Sequence, residues 1–279
     1  MEGLTAMIPG SVLFCTGLVG IACCAVPALA ALLLYKKCGG NVSAFFLGCG
    51  MYLLFNVMLN STVSAIVSMT SAAEKLWFVV LYSGLSAALM DGFGRIAAFR
   101  WALKRNLCPT NAMLYGLGFG WVDCVLLLGI DSIYSAAFGS AYNRDPAALE
   151  ARGAPEMVAA LTQQLKTTDI GQLLASGVDR LLAVVLQMAL AQLMMTAIAK
   201  TKGGYTILAI LLQHVCVCAI VWMDEITGSI LLGLVIRLVF TAVAILLALR
   251  TKEYWEQTKK EEAAKLSETW NAPLPRRPL

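Results

Sequence analysis

The amino-acid sequence predicts an all-α membrane protein, a polytopic bundle of about seven transmembrane helices, and three observations predict it. Of 279 residues, 59% are hydrophobic and 14% charged, with a mean hydropathy of +0.75, which is more apolar surface than a soluble core buries. The apolar runs are each long enough to cross about 30 Å of hydrocarbon as a helix. They also lack the period-two alternation of a barrel, and in lipid only helices and closed barrels pair every backbone group.

The elements follow in order. Helix one reads as Ser11–Tyr35; no basic residue precedes it and Lys36 and Lys37 follow, so it reads as an uncleaved anchor rather than a cleaved signal. Helix two, Ala44–Val67, carries Asn56, Asn60 and Ser64 at four-residue spacing, a polar stripe suited to interhelical hydrogen bonds. Helix three, Leu76–Leu103, holds Asp91 and Arg95 one turn apart on one face. Helix four, Ala112–Phe138, contains Gly116 and Gly120, a small-xxx-small surface for close helix approach, with Phe119 and Asp123 one turn apart. Helix five, Gln172–Ala199, carries Asp179, Arg180 and Gln187; helix six, Tyr205–Met223, carries Gln213 and His214; helix seven, Ser229–Leu249, carries Gly233 and Arg237.

Two regions lie outside the spans. The connection 139–171 has helix-start signals at Asp145-Pro146 and Ala154-Pro155-Glu156, with Met157, Val158, Leu161 and Leu165 spaced for one apolar face, the pattern of short interfacial helices. Residues 1–249 therefore form the bundle with its outer loop, and 250–279 form a charged cytosolic tail that reads as a frayed helix followed by Pro-rich disorder.

Loop charges orient the chain. Lys36, Lys37, Lys104, Arg105, Lys200, Lys202, Arg250 and Lys252 all follow odd-numbered helices, which places those ends in the cytoplasm, the N-terminus outside and the C-terminus inside. The net charge of +4 gathers at these ends, so topology accounts for it without a nucleic-acid partner. The partner implied throughout is a lipid bilayer. Nine scattered cysteines give no disulfide framework. Cys216 and Cys218, two residues apart, point away from each other and do not share a metal.

The ionisable residues inside the spans are the functional candidates, because such groups are costly in lipid and face protein-lined cavities. Those singled out are Asp91, Arg95, Asp123, Asp179, Arg180, His214 and Arg237, and His214 is the one histidine of the chain. Three readings fit them. Three aspartates and three arginines can form neutral structural pairs. Asp91, Arg95, Asp123, Arg180, Arg237 and His214 can line a proton or solute path, although no repeat relates the two halves. Asp91, Asp123 and His214 can form a catalytic site, with His214 and Asp123 as metal ligands.

Four ordered signatures carry a family resemblance: Asp91-x-x-Gly94-Arg95; Tyr115-Gly-Leu-Gly-Phe-Gly-Trp-Val-Asp123 with Leu127–Gly129; Asp179-Arg180-Leu-Leu-Ala183 leading to Gln187; and Ala209-Ile-Leu-Leu-Gln-His214. From Met90 to Val217 the chain resembles the YhfC-type intramembrane metalloproteases, multi-pass bacterial proteins related to the PrsW and CAAX-protease-like membrane peptidases. The resemblance implies a zinc-dependent hydrolytic site with an acidic residue on helix three, a histidine and a glutamate on helix four, and a histidine on each of helices five and six. At those positions this chain has Asp91, Phe119, Asp123, Gln187 and His214. Phenylalanine cannot ligate zinc, glutamine is a poor neutral ligand, and catalytic zinc takes three protein ligands with one position left for water. The sequence thus predicts a catalytically degenerate relative, a pseudoenzyme that binds a membrane peptide, lipid or protein partner, its cavity lined by Arg95, Phe119, Arg180, Gln187 and Arg237. The alternative is an active peptidase with an altered Asp/His site.

Overall fold

The computed structural model describes residues 7–152 and 154–271; the disorder expected for 272–279 lies outside them. Seven helices long and apolar enough to cross a membrane run Gly10–Cys38, Val42–Ser68, Leu76–Ala102, Pro109–Arg144, Ile170–Ala199, Gly203–Thr227 and Ile230–Thr251, and there is no strand among the described residues. They are numbered one to seven below. Large apolar side chains such as Leu29, Phe46, Leu231 and Leu246 face outward, as contact with lipid requires.

Helix five is the axis of the bundle. Its most apolar window is 72% buried, against 17% for helices six and seven, so it is the one span whose apolar residues face protein on nearly every side. Helix four lies between it and helix two, and alternate glycines set both contacts. A Cβ on Gly116 would lie 2.6 Å from the Gln187 carbonyl and one on Gly120 would lie 2.8 Å from the Val184 Cα, both on helix five; one on Gly118 would lie 2.0 Å from the Phe45 carbonyl on helix two. Backbones this close leave no room for any side chain. The Gly116/Gly120 surface read from the sequence is the helix-five contact, and Gly118 adds a second surface on the opposite side.

The stripe on helix two also behaves as expected. Asn60 accepts from Ser86 at 2.5 Å, and Ser64 meets Tyr82 at 3.0 Å, both on helix three. A π-helical stretch over Leu53–Asn60 helps to align it. Four residues overshoot one 3.6-residue α-turn, and the wider i→i+5 turn removes that overshoot.

Two boundaries and one buried face differ from expectation. Helix four runs on to Arg144 because Tyr142, beyond the apolar run, is buried against Ile8, Val12, Val158 and Leu165. Asn143 fastens this end by donating to the Ile8 carbonyl and accepting from its amide, both at 2.8 Å. The two short helices, Pro146–Arg152 and Pro155–Thr167, start where the sequence places them. The second buries Val158, Thr162 and Leu165 against protein and leaves Met157 outside, so its inner face is turned from the one expected. Helix seven continues unbroken to Asn271; its Lys, Glu, Gln and Ala residues are good helix formers and supply no stop.

Candidate functional site

Asp91 sits near the middle of helix three and is 4% exposed. One carboxylate oxygen accepts from Asn56 Nδ2 at 3.0 Å. The other accepts from Gln187 Nε2 at 2.9 Å and Gln213 Nε2 at 3.1 Å, and lies 3.5 Å from Arg95 Nη2. Four helices thus close on one carboxylate at mid-membrane. Gln187 also accepts a hydrogen bond from Arg95, so it bridges the two halves of the ion pair. The Arg95 guanidinium lies 5.7 Å from the centroid of the Phe119 ring, in cation–π range. Phe119 meets Tyr52 edge-on at 5.1 Å.

A second acid stands beside this cluster. Asp123, on helix four, accepts from the Tyr52 hydroxyl at 2.7 Å and lies 3.8 Å from Arg180. Another π-helical stretch, Val125–Gly129, begins two residues later. Asp179 and Arg237 form a separate pair at 2.5 Å between helices five and seven.

The structure therefore brings together Asp91, Arg95, Phe119 and Gln187, with Asp123 joined to Phe119 through Tyr52. Arg95, Phe119 and Gln187 are packed into the interior, whereas Arg180 and Arg237 line an open cavity with Asp179 and Asp224. His214 stands apart. Its half-buried ring lies 3.8 Å from Cys218 Sγ, one turn along its own helix, and against Gly84 of helix three, where a Cβ would come within 2.9 Å of Nδ1. Its hydrogen-bond partners include neither Asp91 nor Asp123. The neighbouring Gln213 takes the position facing Asp91, because adjacent helical residues point about 100° apart.

Three members of the cluster were not singled out as site residues in the sequence. Asn56 was legible as interhelical glue but not as a partner of Asp91. Tyr52 extends the same four-residue stripe one step toward the N-terminus, a signal that could have found it. Gln213 was visible beside His214, but nothing in the sequence tells which of the two turns inward.

The donor set does not fit catalytic zinc. Zinc needs converging lone pairs and an open position. Asp91 is instead met by amide N–H groups and a guanidinium. The side-chain atoms buried here without a hydrogen-bond partner are Arg95 Nη1, the Tyr115 hydroxyl and a single neutral acceptor, Gln213 Oε1. Among the described residues, no three His, Cys, Asp or Glu side chains gather as a metal-holding group. The positive charge opposite Asp91 is supplied by Arg95.

A family model described as "YhfC intramembrane metalloprotease" matches residues 22–236, a wider stretch than the signatures themselves span. The chain is 24% identical over 186 residues, 64% of its own length and 72% of the relative's, to "Uncharacterized membrane protein YhfC" of Bacillus subtilis (strain 168). No solved structure matches. With the match running from helix one into helix seven, the chain belongs to the YhfC intramembrane metalloprotease family.

Proposed function

We propose that this chain is a non-proteolytic member of its family, seated in the bacterial cytoplasmic membrane with the lysine-bearing helix ends inside, that holds a membrane ligand rather than cutting one. The observation that carries this reading is the state of Asp91: both oxygens are engaged and the facing charge is a side-chain guanidinium. A general base needs a free lone pair within reach of a water, and a zinc ligand needs one directed at the metal. Asp91 is 4% exposed and every group placed against it is a donor, a setting that suits an ion-pair partner better than either role. Asp123 is tied to Tyr52 and stands in a different part of the bundle's contacts from His214, so the two do not act as a base and its partner.

The bundle retains what a binding protein needs. Its helices are locked by glycine contacts, its mid-membrane charges are paired, and a polar cavity opens between helices five, six and seven. In proteoliposomes supplied with a library of transmembrane peptides, the purified protein is expected to produce no cleavage above protein-free vesicles. Cleavage that disappears in both the Asp91→Asn and His214→Ala variants would overturn the proposal.

A further inference from the structure

The cavity between helices five, six and seven has a volume of about 210 Å³ and is lined by Asp179, Arg180, Asp224, Ser229 and Arg237, with Ile220 and Gly233 as its apolar wall. That is smaller than a typical pocket for a drug-sized ligand, roughly 300–1,000 Å³, and suits a compact polar group. Its charges are ordered along the helices. Arg180 and Arg237 lie at the deep end, Asp224 near the end of helix six at the mouth.

The deep end has unused donors. Arg180 is 32% exposed and the acid it faces on helix four, Asp123, is 3.8 Å away, beyond hydrogen-bond distance. Arg237 engages Asp179 through Nε, and among the described residues no hydrogen bond uses its terminal nitrogens. Helix seven begins at Ile230 on the cavity wall, and the N-terminus of a long helix adds partial positive charge. Against these stand Asp179, already paired, and Asp224, which is exposed and has no ion-pair partner among the described residues.

We propose that this cavity binds the headgroup of a phospholipid bearing a primary ammonium on a phosphodiester, with the phosphate at Arg180 and Arg237 and the ammonium at Asp224. The order of depth is that of such a lipid in a bilayer, its amine outermost and its phosphate nearer the hydrocarbon. Exposed Ile226, Leu231, Leu232 and Val235 stand on the same two helices and offer apolar surface for the acyl chains. Guanidinium groups suit phosphate because they present several N–H donors in one plane. The proposal rests on the reading that the chain binds a membrane ligand, and names its chemistry.

Native mass spectrometry of the full-length protein in detergent, with dioleoyl phosphatidylethanolamine, phosphatidylcholine and phosphatidylglycerol in turn, tests it. Phosphatidylethanolamine is expected to be retained about tenfold better than phosphatidylglycerol, and Arg180→Gln to lower that retention about tenfold, the worth of one charge-assisted contact. Asp224→Lys, at an exposed position, is expected to reverse the preference toward phosphatidylglycerol. Equal retention of the three lipids by native and Asp224→Lys protein would overturn the proposal. So would saturable binding of free phosphoethanolamine with no lipid retained, which would assign the cavity to a soluble ligand. Neither result touches the non-proteolytic reading, which the cleavage assay decides separately.

Discussion

Replacing Asp91 with leucine is expected to lower the stability of the folded protein by roughly 3–5 kcal/mol, and adding Arg95→Met to that variant to recover part of the loss, the Asn56, Gln187 and Gln213 amides losing their acceptor in both. The single substitution leaves a guanidinium that is 1% exposed facing Gln187 and the Phe119 ring with no counter-charge. Removing one partner of a buried pair is costly because of the charge left behind, whereas replacing both with apolar groups removes the penalty with the pair. Thermal unfolding of the four proteins of this double-mutant cycle in one detergent gives the coupling. A strongly non-additive cycle marks Asp91 and Arg95 as one neutral unit. Additive losses would mean that Asp91 draws its stability from elsewhere.

The second large effect is steric. Gly118→Val is expected to prevent accumulation of folded protein, because its Cβ would lie 2.0 Å from the Phe45 carbonyl oxygen, a backbone atom that no rotamer change can move. Overpacking a core costs about 1–3 kcal/mol when side chains can yield, and here only a shift of helix two or helix four relieves the clash. That shift would carry with it Tyr52 and Phe119, which meet across the same interface. Gly50→Val is the control, on helix two, the other partner of this contact, where a Cβ meets nothing within 4 Å. Yield and melting temperature of the two variants check the difference; equal behaviour would show that the glycine contact is not what seats helix four.

The number and position of the spans were legible because lipid imposes a length and an apolarity that protein packing does not have to help. Boundaries failed where packing took over, as at Tyr142, which extends helix four past its apolar run, or where nothing stops the helix, as beyond Thr251. Asp91, Arg95, Phe119 and Gln187 were each legible as candidates, but split between a site of Asp91, Asp123 and His214 and a wider lining that also held Arg180 and Arg237. What the sequence could not show was rotation. His214 and Gln213 are adjacent, and which one faces Asp91 depends on how helix six seats against Gly84 and Gly92 of helix three, a contact fixed by helix three's residues rather than by helix six's own. The π-helical stretch that turns Asn56 toward Asp91 likewise leaves no mark in the apolar pattern.

The central claim is that Arg95, and not a metal ion, answers the charge of Asp91. Metal content per chain, measured on protein purified from zinc-replete cells, tests it most directly. The account predicts well under one zinc per chain, with no change in Asp91→Asn or His214→Ala. One tightly held zinc per chain, lost in both variants, would contradict it.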